Sequence, residues 1–256
     1  MPETHRNSAA FAIEIDRLTK NFTRNHRSSL KNTLLGRGNS SKETFIALKE
    51  VNLQIPHGQT LAIIGRNGSG KSTLLGLLAR VYRPTSGVIK LLNPLGEPAK
   101  VAPLLELGAG FHHELTGNEN ILFYGALLGM KPKETESKRE SIIRFAELED
   151  KIDTVLLTWN EGAKLRLGFS IAIHTDPDIL LVDEVLAVGD ESFQNKCYRR
   201  IAELQTEKKT ILFVSHDLGV VERVADRVIW LDKGVIHRDG NVESVLKEYR
   251  QVSETS

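Results

Sequence analysis

The stretch from Gly65 to Thr73 reads G-R-N-G-S-G-K-S-T. It fits the phosphate-binding pattern G-x-x-x-x-G-K-[ST], with Gly65, Gly70, Lys71 and Ser72 at the fixed positions. The run before it, Gln59 to Ile64, is apolar and β-prone. The run after it, Lys71 to Val81, carries Leu74, Leu75, Leu77 and Leu78 at helical spacing. The pattern needs a buried strand before the loop and a helix after it, and both are present. Glycines let backbone N–H groups converge on an anion with no Cβ in the way. A helix N-terminus adds unsatisfied donors and partial positive charge. Arg66, Asn67, Gly68, Ser69 and Thr73 complete the expected nucleotide-binding loop. Lys71 is expected to reach the β- and γ-phosphates, and the Ser72 hydroxyl to ligate Mg²⁺.

Composition narrows the setting. The chain has 256 residues, enough for one large α/β domain with or without a subdomain. Its formal net charge of +1 gives no global pull toward nucleic acid, so no nucleic-acid partner is expected. Cys197 is the only cysteine, which suits a reducing compartment. No apolar run approaches the ~18 residues of a membrane-spanning helix. Met1 to Ala12 lacks the apolar centre of a secretory signal. The expectation is a cytosolic chain whose membrane association comes through a partner or a surface contact.

The remaining elements follow from periodicity. Phe11 to Leu18 and Phe45 to Ile55 alternate like strands. Phe22, just past the first, can stack on an adenine ring or close the strand against the core. Between them, residues 23–42 hold Arg24, Arg27, Lys31, Arg37 and Lys42 and no acid. That segment reads either as a solvated insertion or as a basic amphipathic element for anionic lipid or a membrane partner. Val88 to Leu92 and Val101 to Leu107 read as strands, and Asn118 to Leu128 and Ser137 to Leu148 as helices separated by Pro132. Further strands are Ile179 to Val182 and Thr210 to Val214. Ser192 to Gln205 and Leu218 to Ala225 read as helices. A hairpin turns at Asp232 to Gly234, and a helix from Val242 to Arg250 closes the chain. His112 and His113 lack ligand-spaced partners and read as surface or interface residues. Trp159 and Trp230 read as packing residues.

Two strand ends complete the chemistry. Ile179 to Val182 runs into Asp183 and Glu184. Asp183 is suited to holding Mg²⁺, and Glu184 to polarising the water that attacks a γ-phosphate. Adjacent residues at a strand end point in different directions and divide these tasks. Thr210 to Val214 ends near His216, whose imidazole can bond a γ-phosphate oxygen and hold that water. Lys71, Glu184 and His216 are therefore the candidate catalytic groups.

At this point the chain resembles the ATP-binding subunits of ABC transporters, and within them the group that exports polysaccharide: O-antigen, capsule or teichoic acid. Three segments carry the narrower likeness. Leu104 to Phe111 (L-L-E-L-G-A-G-F), followed by Glu114 to Asn120, is similar to that group's Q-loop. Asp183 to Asp190 (D-E-V-L-A-V-G-D) is similar to its joined Walker B and D-loop. Arg166 to Phe169 resembles the helix after the signature motif. The resemblance implies a P-loop NTPase (RecA-like) core of the ABC ATPase type, with an antiparallel β subdomain and an inserted helical subdomain. The whole of 1–256 would be one ABC ATPase domain, with 11–110 and 175–256 as nucleotide-binding core and 111–174 as helical subdomain.

It also implies roles. Phe22 becomes the aromatic on adenine, Glu106 the Q-loop residue near the metal, Asp190 the D-loop aspartate and His216 the switch histidine. Asn160 and Gly162 fall in the signature motif. Two chains would sandwich ATP and Mg²⁺, as a homodimer or with a second ATPase. An integral-membrane permease is the implied partner, at the cytoplasmic face of the inner membrane. Its docking groove would be lined by His112 to Leu115.

The signature itself departs from the pattern. Trp159 to Ala163 reads W-N-E-G-A, with Asn160 where a serine is usual. Glu161 brings a carboxylate toward a triphosphate, which is electrostatically unfavourable. Its options are to point away, to pair with a base such as Lys164, or to weaken closure. A weakly hydrolysing subunit that pairs with a second ATPase, and a soluble non-transport ABC ATPase, are the rival readings.

Overall fold

The computed structural model describes residues 10–25, 42–105, 110–183 and 190–254; the expectations placed on Glu106, on Glu184 and on most of the basic insertion fall outside them. Thr60–Ile64 form β3, and all five residues are buried. Strands covered on both faces need no polar alternation, which is why this run reads as continuously apolar. β7 (Thr210–Val214) and β8 (Arg227–Asp232) flank it in parallel. β6 (Ile179–Val182) and β5 (Val101–Leu104) extend the sheet on one side. β9 (Val235–Gly240) closes the other edge antiparallel, giving the order β5-β6-β7-β3-β8-β9.

Alternation along these strands sorts their side chains into two cores. Ala62, Ile64, Leu180, Val182, Ile211 and Phe213 face one side. There they meet Phe193, Ile201 and Leu204 of α5 (Glu191–Thr206) and Val245 and Leu246 of α7 (Val242–Glu254). Leu61, Ile63, Ile179, Leu181, Leu212 and Val214 face the other side, against α1 (Lys71–Leu78). The second sheet packs over that same side. It is antiparallel, in the order β2 (Lys42–Pro56), β1 (Phe11–Asn25), β4 (Ser86–Leu91). Both long strands bulge, with positive φ at Arg17 (45°) and Glu50 (47°).

A helical layer forms a third core. It comprises α2 (Gly117–Leu127), α3 (Pro132–Ala146) and α4 (Glu161–Ile173). α4 joins the layers. Ala163, Leu167 and Ile171, four residues apart, enter the helical core, while Phe169, Ala172 and Ile173 enter the sheet core. Pro132 does not merely separate two helices. It begins α3, where its missing N–H would have had no partner in any case. α3 stops at Glu147, which is left-handed (φ 57°), rather than at Leu148. α6 (Leu218–Val224) follows β7.

Candidate functional site

The phosphate loop joins β3 to α1. Gly65 has φ 147° and Gly70 φ 109°, conformations L side chains rarely adopt. Space is a second reason for glycine. A Cβ on Gly65 would lie 2.2 Å from the Leu231 carbonyl oxygen, and one on Gly70 would lie 2.7 Å from that of Ala47. The loop is propped from behind by the β8–β9 turn. Lys233 (φ 44°) and Gly234 (φ 81°) both take positive φ there, as a two-residue hairpin of the primed type requires. The Gly234 N–H donates to the Ser69 carbonyl at 2.9 Å, and the Gly234 carbonyl accepts from Lys49 N–H at 2.9 Å. The loop is thus held between both sheets.

Gly70 caps α1 without a side-chain hydrogen bond of its own, and the helix N-terminus, with its partial positive charge, points into the loop. Lys71 is buried at 7% exposure. Its Nζ donates to the Gly65 carbonyl at 2.7 Å and the Arg66 carbonyl at 3.2 Å, which places the ammonium inside the ring of the loop. A cavity of about 380 Å³ opens here. Lys71, Ser72, Thr73 and Asn67 line it from the loop, and Asp183 lines it from the end of β6. A hydroxyl and a carboxylate beside a buried ammonium form a donor set suited to Mg²⁺ and phosphate oxygens. Arg66, Asn67, Gly68 and Ser69 also line a second cavity of about 400 Å³, toward Trp230 and Lys233.

His216 lies at the neighbouring strand end. Val214 pairs with Ile63 in register, and Val182 with Phe213, so Asp183, Gly65 and His216 all leave the carboxyl edge of adjacent parallel strands. That edge is where open α/β sheets bind ligands. His216 is exposed and sits just before α6, whose N-terminus is capped by Asp217. It is not among the residues lining the 380 Å³ cavity.

Phe22 does not line that cavity either. Its ring meets Tyr82 edge-on at 5.4 Å, and the Lys20 ammonium lies 4.8 Å over its face. Phe45, its partner across the β1–β2 ladder, does line the cavity and is 59% exposed. The sequence marked Phe45 only as the start of a strand. Its alternation with Ala47, another lining residue, was the signal available.

The signature residues form a separate group. Asn160 caps α4, its Oδ1 accepting from Ala163 N–H at 2.8 Å. Asp190 caps α5, accepting from Phe193 N–H at 3.0 Å. Asn160, Gly162 and Asp190 share a cavity of about 360 Å³ with Glu147, Lys151 and Arg166. Glu161 pairs with Lys164 at 2.8 Å. The hydrogen bond from Lys164, then its charge, holds the Glu161 carboxyl below the usual carboxylate range. Trp159 is a packing residue whose Nε1 donates to Thr154 Oγ1 at 2.8 Å. A further, more apolar cavity of about 300 Å³ runs from Ser72 and Asp183 to Tyr124 and Leu128 of the helical layer.

Residues 48–187 match the family described as ABC transporter. The chain is 44% identical to the O-antigen export system ATP-binding protein RfbB of Myxococcus xanthus, over 88% of this chain and 50% of that one. It is 44% identical to the protein of the same name from Klebsiella pneumoniae, over 81% of this chain and 82% of the relative. It is 42% identical to the teichoic acids export ATP-binding protein TagH of Enterococcus faecalis (strain ATCC 700802 / V583), over 81% and 45%. The chain therefore spans about half the length of two of these relatives. The dimeric ATP-binding cassette MJ0796, in a post-hydrolysis state with ADP and Pi, shares its fold at a TM-score of 0.71 and 23% identity, over 90% of this chain and 98% of that one.

Proposed function

We propose, from the premise that this chain belongs to the ABC transporter family, that it is the ATP-binding and hydrolysing subunit of an exporter that drives a lipid-linked polysaccharide through a separate permease. The observation that carries this is the convergence of Lys71, Ser72 and Asp183 on one cavity at the carboxyl edge of the sheet. The export names of relatives at 42–44% identity suggest the cargo class: O-antigen or teichoic acid. Residues 11–110 and 175–256 serve as the nucleotide-binding core and 111–174 as the helical subdomain. Among the described residues no helix is long and apolar enough to cross a membrane. The chain sits at the cytoplasmic face of the inner membrane through the permease.

Catalysis in this reading is positioning and charge neutralisation. Loop amides and Lys71 hold the β- and γ-phosphates. Ser72 and Asp183, with Glu106, would hold Mg²⁺, which would supply neutralisation of phosphate charge. Glu184 orients the attacking water and His216 holds the γ-phosphate oxygen. Asn160, Gly162 and Asp190 occupy their own cavity and complete the site of a second subunit. With the Asn160 oxygen engaged in its cap, its amide N–H₂ is the donor left for a phosphate. Glu161, paired with Lys164, adds less repulsion than a bare carboxylate.

The purified chain should hydrolyse ATP, and Glu184→Gln or Lys71→Ala should lower kcat by at least ~100-fold, the order lost when a charge-positioning group is removed. Unchanged turnover in both variants would remove the mechanism. Turnover that appears only with a second ATPase present would favour the paired, weakly hydrolysing subunit, the reading that Asn160 motivates.

A further inference from the structure

Arg166 lies outside every role assigned so far. It stands on α4, one turn after Gly162, with only a fifth of its side chain exposed. One guanidinium nitrogen donates to Asp190 Oδ2 at 2.6 Å, and the other terminal nitrogen to Glu147 Oε2 at 3.3 Å. The plane rests 4.9 Å from the centre of the Phe193 ring, which is buried. Phe193 N–H is in turn held by Asp190, so the contact closes on itself. The other Glu147 oxygen accepts from Lys196 Nζ at 2.9 Å. Lys196 also donates to the Phe145 carbonyl at 2.8 Å, at the end of α3.

Three elements meet at this tie: the end of α3 through Glu147, the first turns of α4 through Arg166, and the start of α5 through Asp190. A planar guanidinium with two separate donor edges can bridge two carboxylates while stacked on a ring; a lysine ammonium cannot do all three. The carboxylates are half exposed or more, at 50% for Glu147 and 61% for Asp190. Pairs so solvated contribute little to stability. What the bridge does fix is relative position. Asn160 and Asp190 line the same cavity, and each starts a helix that Arg166 joins to the other.

We infer that Arg166 is a positioning residue: it holds the start of α4 and the start of α5 as one unit, so that Asn160 and Asp190 reach a partner subunit's nucleotide at a fixed spacing. The inference rests on the ATPase reading above.

The test compares the full chain with Arg166→Gln, Asp190→Asn and the double variant. Asn at 190 keeps a side-chain oxygen for the helix cap and loses the charge. The expected result has four parts. Arg166→Gln lowers kcat at least tenfold. ADP binding by the chain's own phosphate loop stays within twofold. The melting temperature of Arg166→Gln stays close to that of the parent. The double variant falls no more than about threefold below the worse single, since both act through one bridge. Arg250→Gln, which removes an exposed pair with Glu222 and lines neither the 380 Å³ nor the 360 Å³ cavity, should leave turnover unchanged.

Wild-type kcat in Arg166→Gln, or losses that multiply in the double variant, would overturn the inference. A fall in ADP affinity parallel to kcat would also overturn it, because it marks a general structural effect. If Arg166→Gln is insoluble, Arg166→Lys carries the test: at least a threefold loss of kcat with ADP affinity kept supports the bridge, and full activity overturns it. A wild-type chain with no turnover under any condition would instead sink the ATPase reading.

Discussion

At the scale of single residues, burial and reach decide roles. Lys71 is useful because the loop carbonyls hold its ammonium in place while the helix N-terminus beside it remains uncapped. A solvated lysine would have to lose rotamer freedom at the moment of binding. Phe45 and Phe22 make the clearest contrast. Phe45 presents its ring to the cavity, whereas Phe22 is engaged by Tyr82 and Lys20. Base–aromatic stacking is worth ~1–3 kcal/mol per base. Phe45→Ala should therefore weaken ATP binding by roughly 5- to 150-fold on that scale, measured by titration calorimetry on the full chain. Phe22→Ala should weaken it less and act mainly on stability. If Phe22→Ala costs the larger share of affinity, the base stacks on Phe22.

At the scale of elements, the helices carry their own boundary signals. Thr116 forms a complete capping box at the start of α2, accepting from Glu119 N–H while Glu119 Oε2 accepts from Thr116 N–H. Thr116→Ala should cost ~1 kcal/mol, seen as a drop of about 2–4 °C in Tm by calorimetry. His174, the C-cap of α4, gives a pH prediction. Burial, opposed by its contact with the Ser170 carbonyl, pushes its pKa below the ordinary 6.5; Arg200 and Lys138 push the same way. The folded state therefore resists a proton that the unfolded chain accepts. Stability is fully kept above the unfolded value and declines as the pH falls below about 6.5 toward the lower folded value. His174→Gln should flatten the fall of Tm between pH 7 and 5. An unchanged slope would show that another group titrates there.

At the scale of the whole molecule, the two halves of the expected site are apart. Lys71, Ser72 and Asp183 line one cavity, and Asn160, Gly162 and Asp190 another that shares no residue with it. In the function proposed above, a second copy or a related subunit brings its signature residues to each phosphate loop. The Glu184→Gln variant with ATP should shift from monomer to dimer in light scattering, and ADP should not produce the shift. A monomer at all ATP concentrations would point to an obligate different partner. α4 is packed into both the sheet core and the helical core, so neither close-packed layer can shift against it without the other being felt.

The sequence alone determined the phosphate loop, the strands around it, the strand-end Asp183 and His216, and most helices. Those features are written in short-range signals: glycine at fixed offsets, alternation of period two, apolar stripes of period 3.6. It was short on strand lengths, because the outer parts of β1 and β2 lie beyond the core and carry weaker alternation. It missed most of α4, although Asn160 before apolar residues at 163, 167 and 171 is a cap followed by a stripe. Only the tertiary structure decided which phenylalanine faces the cavity, that Glu161 is paired, and that Arg166 reaches Glu147 and Asp190. The Glu161–Lys164 pair is local and was one of several options open to the sequence, whereas the Arg166 contacts join residues 19 to 24 positions apart, and Phe22 and Phe45 lie on different strands. No local pattern encodes such a meeting; it follows from how packed layers bring the ends of separate elements to one place.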